Sequence, residues 1–191
     1  MIKGANMHCQ AREARLFTMA IQLLSRQGTA ISDTDIAAAA GIDRAALRRD
    51  YPTREDLFNA LYLRIHYRVC DVLRDRLVPG DSLHARVRAL WDAYIAWAVA
   101  HPDCQRARHR LMVSDLLTER TRRSEMMVFP DITILEAAAE GDIFADQPPE
   151  FGEAIFCRLV EDTVGLMLGD PLHAADYRQA GFETYWRIFF E

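Results

Sequence analysis

Arginine side chains gather in one short segment of the chain. Residues 44–54 contain four arginines and one acid, namely Arg44, Arg48, Arg49, Arg54 and Asp50. A guanidinium group donates paired hydrogen bonds in one plane, which suits it to phosphate oxygens and to the edge of guanine. Lys3 is the only lysine of the chain, so a general preference for arginine is the alternative explanation.

The net charge of −5 argues at first against a nucleic-acid partner, but the charge is unevenly distributed. Residues 1–60 carry eight Lys/Arg and seven Asp/Glu, whereas residues 61–191 carry fifteen Lys/Arg and twenty-one Asp/Glu. A nearly neutral amino-terminal part with a local arginine excess is therefore joined to an acidic remainder. We expect any phosphate-binding surface to lie in the first 60 residues.

Three aromatic residues, Trp91, Tyr94 and Trp97, recur at a spacing of three and so fall on one side of a helix. Aromatic and methionine side chains suit the wall of a pocket for a flat or apolar ligand. The same stripe is more often part of an ordinary core, and both interpretations stay open. The other residues that we assign to this candidate ligand pocket are His101, Met112, Met126 and Phe129.

Histidine and cysteine side chains also occur close together, as His101, Cys104 and His109, and as His66 with Cys70. A closed zinc site requires four ligands at tight spacing, and neither group supplies them. We therefore predict no metal and no cofactor. A thiol sensor is disfavoured as well, because no second cysteine lies near Cys70 or Cys104 in the sequence.

The four cysteines lie far apart and form no C-x-x-C pair, which favours reduced thiols over disulfides. No stretch approaches 18 apolar residues without a charge, so we expect no membrane span. Residues 1–10 lack the apolar core of a secretion signal. Together these features predict a cytoplasmic protein.

Helical periodicity prevails along the chain, with no sustained alternation typical of strands. Ser32, Asp43 and Thr53 precede helical segments as candidate amino-terminal caps, and Thr53 forms a weak capping box with Asp56. The first four predicted helices cover residues 11–25, 34–40, 44–50 and 54–77.

Five further helices are predicted after Pro79 and Gly80, which end the fourth. Pro102 fits the first turn of one of them, and Pro130 should kink or split another. Their predicted ranges are 82–100, 102–119, 124–140, 150–168 and 174–190. About nine helices without a sheet make an all-α fold, with three helices in the first 50 residues.

Two short helices joined by a tight turn at Gly41 form a helix-turn-helix in this arrangement. Glycine adopts the left-handed conformation of such a turn at little cost. Ile42 and Leu47 should hold the second helix to the core, which leaves its arginines and Ala45 on the outer face. A helix presented in this way can enter the major groove of DNA.

Residues 10–60 resemble the DNA-binding domain of the tetracycline-repressor (TetR) family of transcriptional regulators. The family pattern runs T-x-x-x-I-A-x-x-A-G-V-S, continues through a recognition helix ending in L-Y-x-x-F, and closes with x-[ST]-K-E-x-L. The chain departs from it at Asp43, where serine is usual, at Ala45, where glycine is common, and at Arg48, where an aromatic is usual. The residues that fit the pattern without a gap are Gly28, Ser32, Ile36, Ala37, Ala40, Gly41, Ile42, Leu47, Tyr51, Thr53, Arg54, Glu55 and Leu57.

The resemblance implies phosphate contacts from Ser32, Thr53 and Arg54 and contacts with bases or backbone from the recognition helix. Tyr51 would lie beside the DNA backbone, although an aromatic there is equally typical of a core anchor between helices. The full set of DNA-binding residues implied is Ser32, Asp43, Arg44, Ala45, Arg48, Arg49, Tyr51, Thr53 and Arg54.

The resemblance further implies a three-helix DNA-binding domain over residues 1–55 and a helical regulatory domain over residues 56–191. The last two helices of the regulatory domain would pair with their copies in a homodimer that binds a palindromic operator. Their abundant apolar residues favour such an interface over an internal core alone. The predicted interface residues are Phe151, Ile155, Leu159, Phe182, Trp186 and Phe189.

These observations predict a sequence-specific DNA-binding transcriptional regulator, most simply a repressor released from its operator by an unidentified small-molecule effector. The alternative is a small-molecule enzyme, or a dimeric ligand-binding module with a degenerate DNA-reading head, on an all-helical scaffold. The departures from the family pattern at Asp43 and Arg48 are what support a DNA-binding domain that no longer reads DNA. An enzyme is disfavoured because the sequence contains no nucleophile elbow, phosphate loop or glycine-rich dinucleotide turn.

Overall fold

The computed structural model of the chain describes residues 2–127 and 149–190, and the side chains of residues 10–125 and 155–190. These residues form nine α-helices and two short 3-10 turns, and none of them lies in a β-strand. No helix in this part of the chain is both long and apolar enough to cross a membrane. The helices are α1 (Ile2–Gln27), α2 (Asp33–Ala40), α3 (Arg44–Asp50), α4 (Arg54–Arg74), α5 (Leu83–Ala100), α6 (Pro102–Met112), α7 (Glu119–Met127), α8 (Pro149–Gly169) and α9 (Ala174–Phe189).

The predicted all-α class is confirmed, and most predicted helices lie close to observed ones. The helix α3 covers the predicted residues 44–50, whereas α1 begins at Ile2, well before its predicted start. The helix predicted over residues 124–140 is described only as far as Met127. Its predicted kink at Pro130 lies outside the described residues.

The first of two compact units consists of Met1–His66 and Asp103–Glu125. It contains α1, α2, α3, most of α4, α6 and most of α7. The helix α2 packs against both α1 and α3. The apolar core of the unit is built from side chains of α1, α2, α3, α4 and α6. Representative core residues are Phe17, Leu24, Ile36, Leu47, Phe58 and Leu111.

The segment Asp103–Glu125 is bonded to the amino-terminal helices although it is distant in sequence. The Ser25 hydroxyl donates to Oδ1 of Asp103 at 2.6 Å, and Nη1 of Arg110 donates to the carbonyl of Leu24 at 3.1 Å. The compact units therefore do not follow the division after residue 55 expected for the functional domains. That functional division stays a prediction.

The second unit consists of Tyr67–Pro102 and Met126–Glu191, in which α5, α8 and α9 pack against one another. Gly181 of α9 faces both Thr163 of α8 and Trp91 of α5. A Cβ atom at this position would lie 2.6 Å from Oγ1 of Thr163 in α8 and 2.8 Å from Cζ2 of Trp91 in α5. The missing side chain therefore permits the close packing of the three helices.

The single helix predicted over residues 102–119 is wrong in its second half, because α6 ends at Met112 and α7 begins at Glu119. The Ser114 hydroxyl donates to the carbonyl of Leu111 at 2.6 Å. Such a side-chain bond competes with the backbone bond that would continue the helix. The chain turns between α6 and α7 as a result.

Asn59 of α4 holds this turn in place. Its Nδ2 donates to the carbonyl of Leu116 at 2.8 Å, and its Oδ1 accepts the N–H of Thr118 at 2.9 Å. Asn59 lies 57 residues before Leu116 in the sequence. The periodicity of residues 102–119 alone therefore could not predict this turn.

Candidate functional site

The predicted helix-turn-helix is present in the first unit. A capping box begins α2, since Oγ of Ser32 accepts the N–H of Asp35 at 3.1 Å and Oδ2 of Asp35 accepts the N–H of Ser32 at 3.2 Å. Gly41 ends the helix with a φ of 64°, which glycine adopts far more readily than other residues. Ile36 and Leu47 are fully buried and hold the two helices to the core.

The outer face of α3 is exposed as predicted. Anchoring at Leu47 turns the opposite side of this short helix to solvent. We call the exposed side the recognition face, and it consists of Arg44, Ala45, Arg48 and Arg49. Three guanidinium groups therefore project from seven consecutive helical residues.

Two arginines of the recognition face pair with acids of the same unit. Nη2 of Arg48 donates to Oδ2 of Asp33, in α2, at 2.9 Å. Nε of Arg49 lies 3.4 Å from Oδ1 of Asp50, whose other oxygen, Oδ2, accepts a hydrogen bond from Nη2 of Arg12. Sequence reasoning missed the role of Asp33, because a contact between residues 15 positions apart arises only when α2 and α3 pack.

The hydroxyls of Ser32 and Thr53, which the resemblance places at phosphates, both serve helix caps. Ser32 donates to Oδ2 of Asp35 at 2.6 Å, and Thr53 donates to Oδ2 of Asp56 at 2.7 Å. The weak capping box predicted at Thr53 is thus confirmed, since the N–H of Asp56 also bonds to its hydroxyl. The hydrogen bond from Ser32 lowers the pKa of Asp35. A phosphate at either hydroxyl would therefore meet a carboxylate, and the arginines are better placed to bind it.

Asp43 occupies the amino-terminal cap position of α3, but the prediction that its side chain caps the helix is wrong. Its carbonyl accepts the N–H of Leu47 at 3.0 Å, so the helix starts normally. The carboxylate makes no capping hydrogen bond and is exposed, so it can face solvent instead. It adds a negative charge beside the recognition face.

Tyr51 and Arg54 make interior contacts. The Tyr51 hydroxyl donates to Oε1 of Glu13 at 3.1 Å, and its ring centroid lies 6.0 Å from that of Phe17. Burial and the bond to Glu13 raise the pKa of Tyr51 to about 12. The guanidinium of Arg54 lies 5.1 Å from the ring centroid of Phe58. Tyr51 therefore anchors the end of α3 to α1, which is the alternative role expected for it, whereas Arg54 packs on a ring of its own helix α4.

The aromatic stripe of α5 is buried within the second unit. Tyr94 stacks against Trp97 at 5.9 Å and against Phe156 of α8 at 5.8 Å, measured between ring centroids. Trp91 stacks against Tyr185 of α9 at 5.5 Å. The rings fill the space beside one another, as core residues do, and their role in a ligand pocket stays a prediction.

Of the remaining pocket candidates, His101 adjoins this stripe, with its ring centroid 5.7 Å from that of Trp97. His101 is exposed, whereas Met112 is buried in the first unit. The side chain of Met126 and the whole of Phe129 lie outside the described residues. Within the described side chains, no three His, Cys, Asp or Glu residues are grouped so that they could hold a metal ion.

Two predicted interface residues, Phe182 and Phe189, are buried in the core of a single chain. Phe182 packs against His84 at 5.2 Å between centroids, and the guanidinium of Arg88 lies 4.6 Å from its ring. Within the single chain these two rings expose little area, and their place in a dimer interface stays a prediction. The other predicted residues, Ile155, Leu159 and Trp186, are half-buried, and the side chain of Phe151 lies outside the described ones.

Three of the exposed apolar side chains of the second unit lie close together in sequence, at the end of α8 and in the 3-10 turn Pro171–His173. Leu166 and Leu168 are half-exposed, and Leu172 is 92% exposed. Leu166 and Leu168 belong to the apolar residues of the last two predicted helices that favour an interface, whereas sequence reasoning missed Leu172, which lies in the turn between those helices.

A buried polar cluster in the first unit was not predicted as a site. Nη2 of Arg108 donates to Oε1 of Glu125 at 2.7 Å, and Nδ1 of His66 lies 3.4 Å from the same oxygen. The ring of Tyr62 stacks against that of His66 at 6.3 Å between centroids. The charged groups come from three helices, so no local motif could have revealed the cluster.

The cluster makes stability depend on pH. Burial, followed by repulsion from Arg108, lowers the pKa of His66 to about 4. The unfolded chain takes up a proton near pH ~6.5, so the stability gained by a neutral His66 is complete above that pH and lost as the pH falls towards 4. We expect the free energy of unfolding, from urea titration, to fall by about 2 kcal/mol between pH ~7 and pH ~5 on this account.

The variant His66→Gln isolates this contribution because glutamine has no charge to gain. It should lose less than half of what the wild type loses between the two pH values, whereas His101→Gln, at an exposed position, should behave as the wild type. Equal losses in wild type and His66→Gln would contradict the assignment.

No model of a protein family matches the chain, but solved structures match it along nearly its whole length. A structure assigned to the TetR family of transcription regulators, from Shewanella sp. PV-4, has a TM-score of 0.74 at 23% identity and covers 92% of this chain and 96% of its own. A TetR-family regulator from Marinobacter aquaeolei VT8 has a TM-score of 0.73 at 18% identity, with 96% and 97% covered. The TetR-like regulator LfrR from Mycobacterium smegmatis, in complex with proflavine, has a TM-score of 0.61 at 17% identity, with 94% and 98% covered. The chain therefore has the all-α fold of the TetR-family transcriptional regulators.

Proposed function

We propose that the chain is a sequence-specific DNA-binding transcriptional regulator that inserts α3 into the major groove. The recognition face carries this proposal, since it presents three arginines from a short helix fixed by a buried leucine and a glycine turn. A helix of this kind fits the width of the major groove. Arginine supplies both phosphate contacts and base contacts there.

A homodimer is part of the proposal. One short recognition helix makes few contacts with DNA, and two copies held one helical turn apart bind a palindrome far more tightly. The exposed Leu166, Leu168 and Leu172 supply apolar area whose burial would favour association of two copies. Ile155 and Leu159, half-buried in α8, can extend this surface.

A small-molecule effector that releases the DNA is also part of the proposal, which makes the chain a repressor and not an enzyme. The structural neighbours are transcription regulators, and that of LfrR contains proflavine. The stacked rings of Tyr94, Trp97 and Phe156 are chemically suited to a flat ligand that would separate them. Such a ligand acts by binding better to the conformation that does not bind DNA.

The first test removes two arginines of the recognition face together, as Arg44→Ala/Arg49→Ala. On duplex DNA from upstream of the chain's own gene, we expect affinity to fall at least tenfold at moderate salt. The plot of log affinity against log salt concentration should become shallower by about two units, since each phosphate contact contributes roughly 0.9. Fluorescence anisotropy across a salt series measures both quantities.

A charge-matched control is Arg158→Ala/Arg187→Ala, at exposed positions of α8 and α9. It removes the same charge from the second unit and should keep the wild-type slope. A wild-type chain that fails to bind any duplex at low salt would refute the function and favour the degenerate head. Equal slopes for the two double variants would show that the recognition face does not contact DNA.

A further inference from the structure

We infer that Arg48 recognises a guanine in each half of the operator and that Asp33 is the residue that positions its guanidinium group. The inference rests on the proposed function, because it names the base that α3 recognises. It follows from one contact between the two helices of the helix-turn-helix. That contact joins Nη2 of Arg48 to Oδ2 of Asp33 at 2.9 Å.

The two partners differ in exposure. The side chain of Arg48 is 55% exposed, whereas that of Asp33 is only 17% exposed. Asp33 is the first residue of α2 and follows Ser32, whose capping box with Asp35 fixes the start of the helix. A sheltered carboxylate on a rigid helix end therefore holds an exposed guanidinium, and the arginine is the member that remains available to a ligand.

The hydrogen-bonding capacity of arginine matches guanine. A guanidinium carries five N–H donors in one plane, so one nitrogen can remain on Asp33 while the other donors face outward. In the major groove guanine presents two adjacent acceptors, O6 and N7, and arginine binds both. Adenine presents one acceptor and one donor there, so it cannot accept the same pair of bonds. A long side chain held in advance also loses less rotamer freedom on binding.

The carboxylate of Asp33 argues against a phosphate as the partner of Arg48. A phosphate beside this guanidinium would be repelled by the carboxylate 2.9 Å from it, whereas a base edge has no net charge. Arg49 is the better phosphate ligand, because its neighbour Asp50 also bonds Arg12. On the recognition face, Arg48 therefore contacts a base and Arg49 contacts a phosphate of the DNA backbone.

The test selects binding sites from a pool of random-sequence duplex DNA and sequences them. The wild type should enrich guanine at one fixed position in each half-site, and Arg48→Ala should abolish that preference alone. Asp33→Asn keeps the shape of the side chain but removes its charge. It should lower the guanine-to-adenine ratio at the same position about five- to tenfold and leave the preferences at other positions unchanged.

Asp43→Asn is the matched control, since it removes the same charge beside the recognition face from a side chain that bonds no cap. It should raise affinity for all sequences without changing base preference. If Asp33→Asn gives that same uniform increase, Asp33 does not position Arg48 and the inference is wrong. It is also wrong if Arg48→Ala keeps the guanine preference.

Two further observations separate this inference from the proposed function. A wild type that selects a defined palindrome without guanine at the position read by α3 overturns the inference alone. A wild type that enriches no sequence overturns the proposed function as well. Circular dichroism of each variant at the binding temperature establishes that a lost preference does not come from unfolding.

Discussion

Replacing Arg108 by methionine is expected to destabilise the first unit by about 3–5 kcal/mol near neutral pH. Methionine retains much of the volume of arginine but cannot donate to Glu125, whose side chain is only 13% exposed. The buried carboxylate would lose its charged partner at 2.7 Å without regaining water. Urea denaturation followed by circular dichroism measures the loss.

The pH dependence of this variant is its most specific signature. Arg108 is a cause of the low pKa of His66, so its removal makes protonation of His66 easier. A protonated imidazole 3.4 Å from Glu125 then replaces part of the lost attraction. The destabilisation of Arg108→Met relative to wild type should therefore be smaller at pH ~5 than at pH ~7.

Two further variants test whether the destabilisation of Arg108→Met comes from the buried ion pair. Arg108→Met/Glu125→Met removes both charges and should recover more than half of the lost stability, because no buried charge is left unpaired. Arg123→Met breaks an exposed pair with Glu119 at 3.7 Å and should change stability by less than about 0.5 kcal/mol. A loss for Arg108→Met as small as that of Arg123→Met would contradict the buried pair.

Replacing Gly181 by alanine should destabilise the second unit by about 1–3 kcal/mol. The added Cβ would lie 2.6 Å from Thr163 and 2.8 Å from Trp91, so α9 must move away from both helices. The sign of this stability change is informative, because alanine in a helix is otherwise more stable than glycine by up to about 1 kcal/mol. Thermal and urea unfolding of the variant measure the change.

Gly165→Ala is the matched control for Gly181→Ala. Gly165 lies in the interior of α8, and a Cβ there meets nothing within 4 Å. This variant should be as stable as the wild type or more stable, by up to about 1 kcal/mol. If Gly181→Ala is stabilising as well, the three helices do not approach as closely as described.

Local features of the helix-turn-helix could be predicted from the sequence. Ser32, Gly41 and Leu47 act through their own helices, as a cap, a left-handed turn and a core contact, so their spacing reveals them. The exposure of the arginines of α3 follows from the same spacing. Over residues 34–50 the prediction therefore agrees with the structure almost residue by residue.

Contacts that join distant segments could not be predicted in this way. The pairs of Arg48 with Asp33 and of Arg108 with Glu125 depend on how helices pack, which periodicity does not encode. The bonds from Asn59 that hold the turn between α6 and α7 are of the same kind. For Phe182, periodicity indicated an apolar face but not whether a second chain or the same chain covers it.

The division of the first unit into two separate stretches of chain limits how its parts can be exchanged. Hydrogen bonds from Ser25 to Asp103 and from Arg110 to Leu24 join those stretches. A hybrid protein that took only residues 1–66 and fused them to a foreign regulatory domain would cut these bonds and open the core beside Leu111. A hybrid that keeps the helix-turn-helix in its native packing must therefore receive both residues 1–66 and residues 103–125 from the same parent.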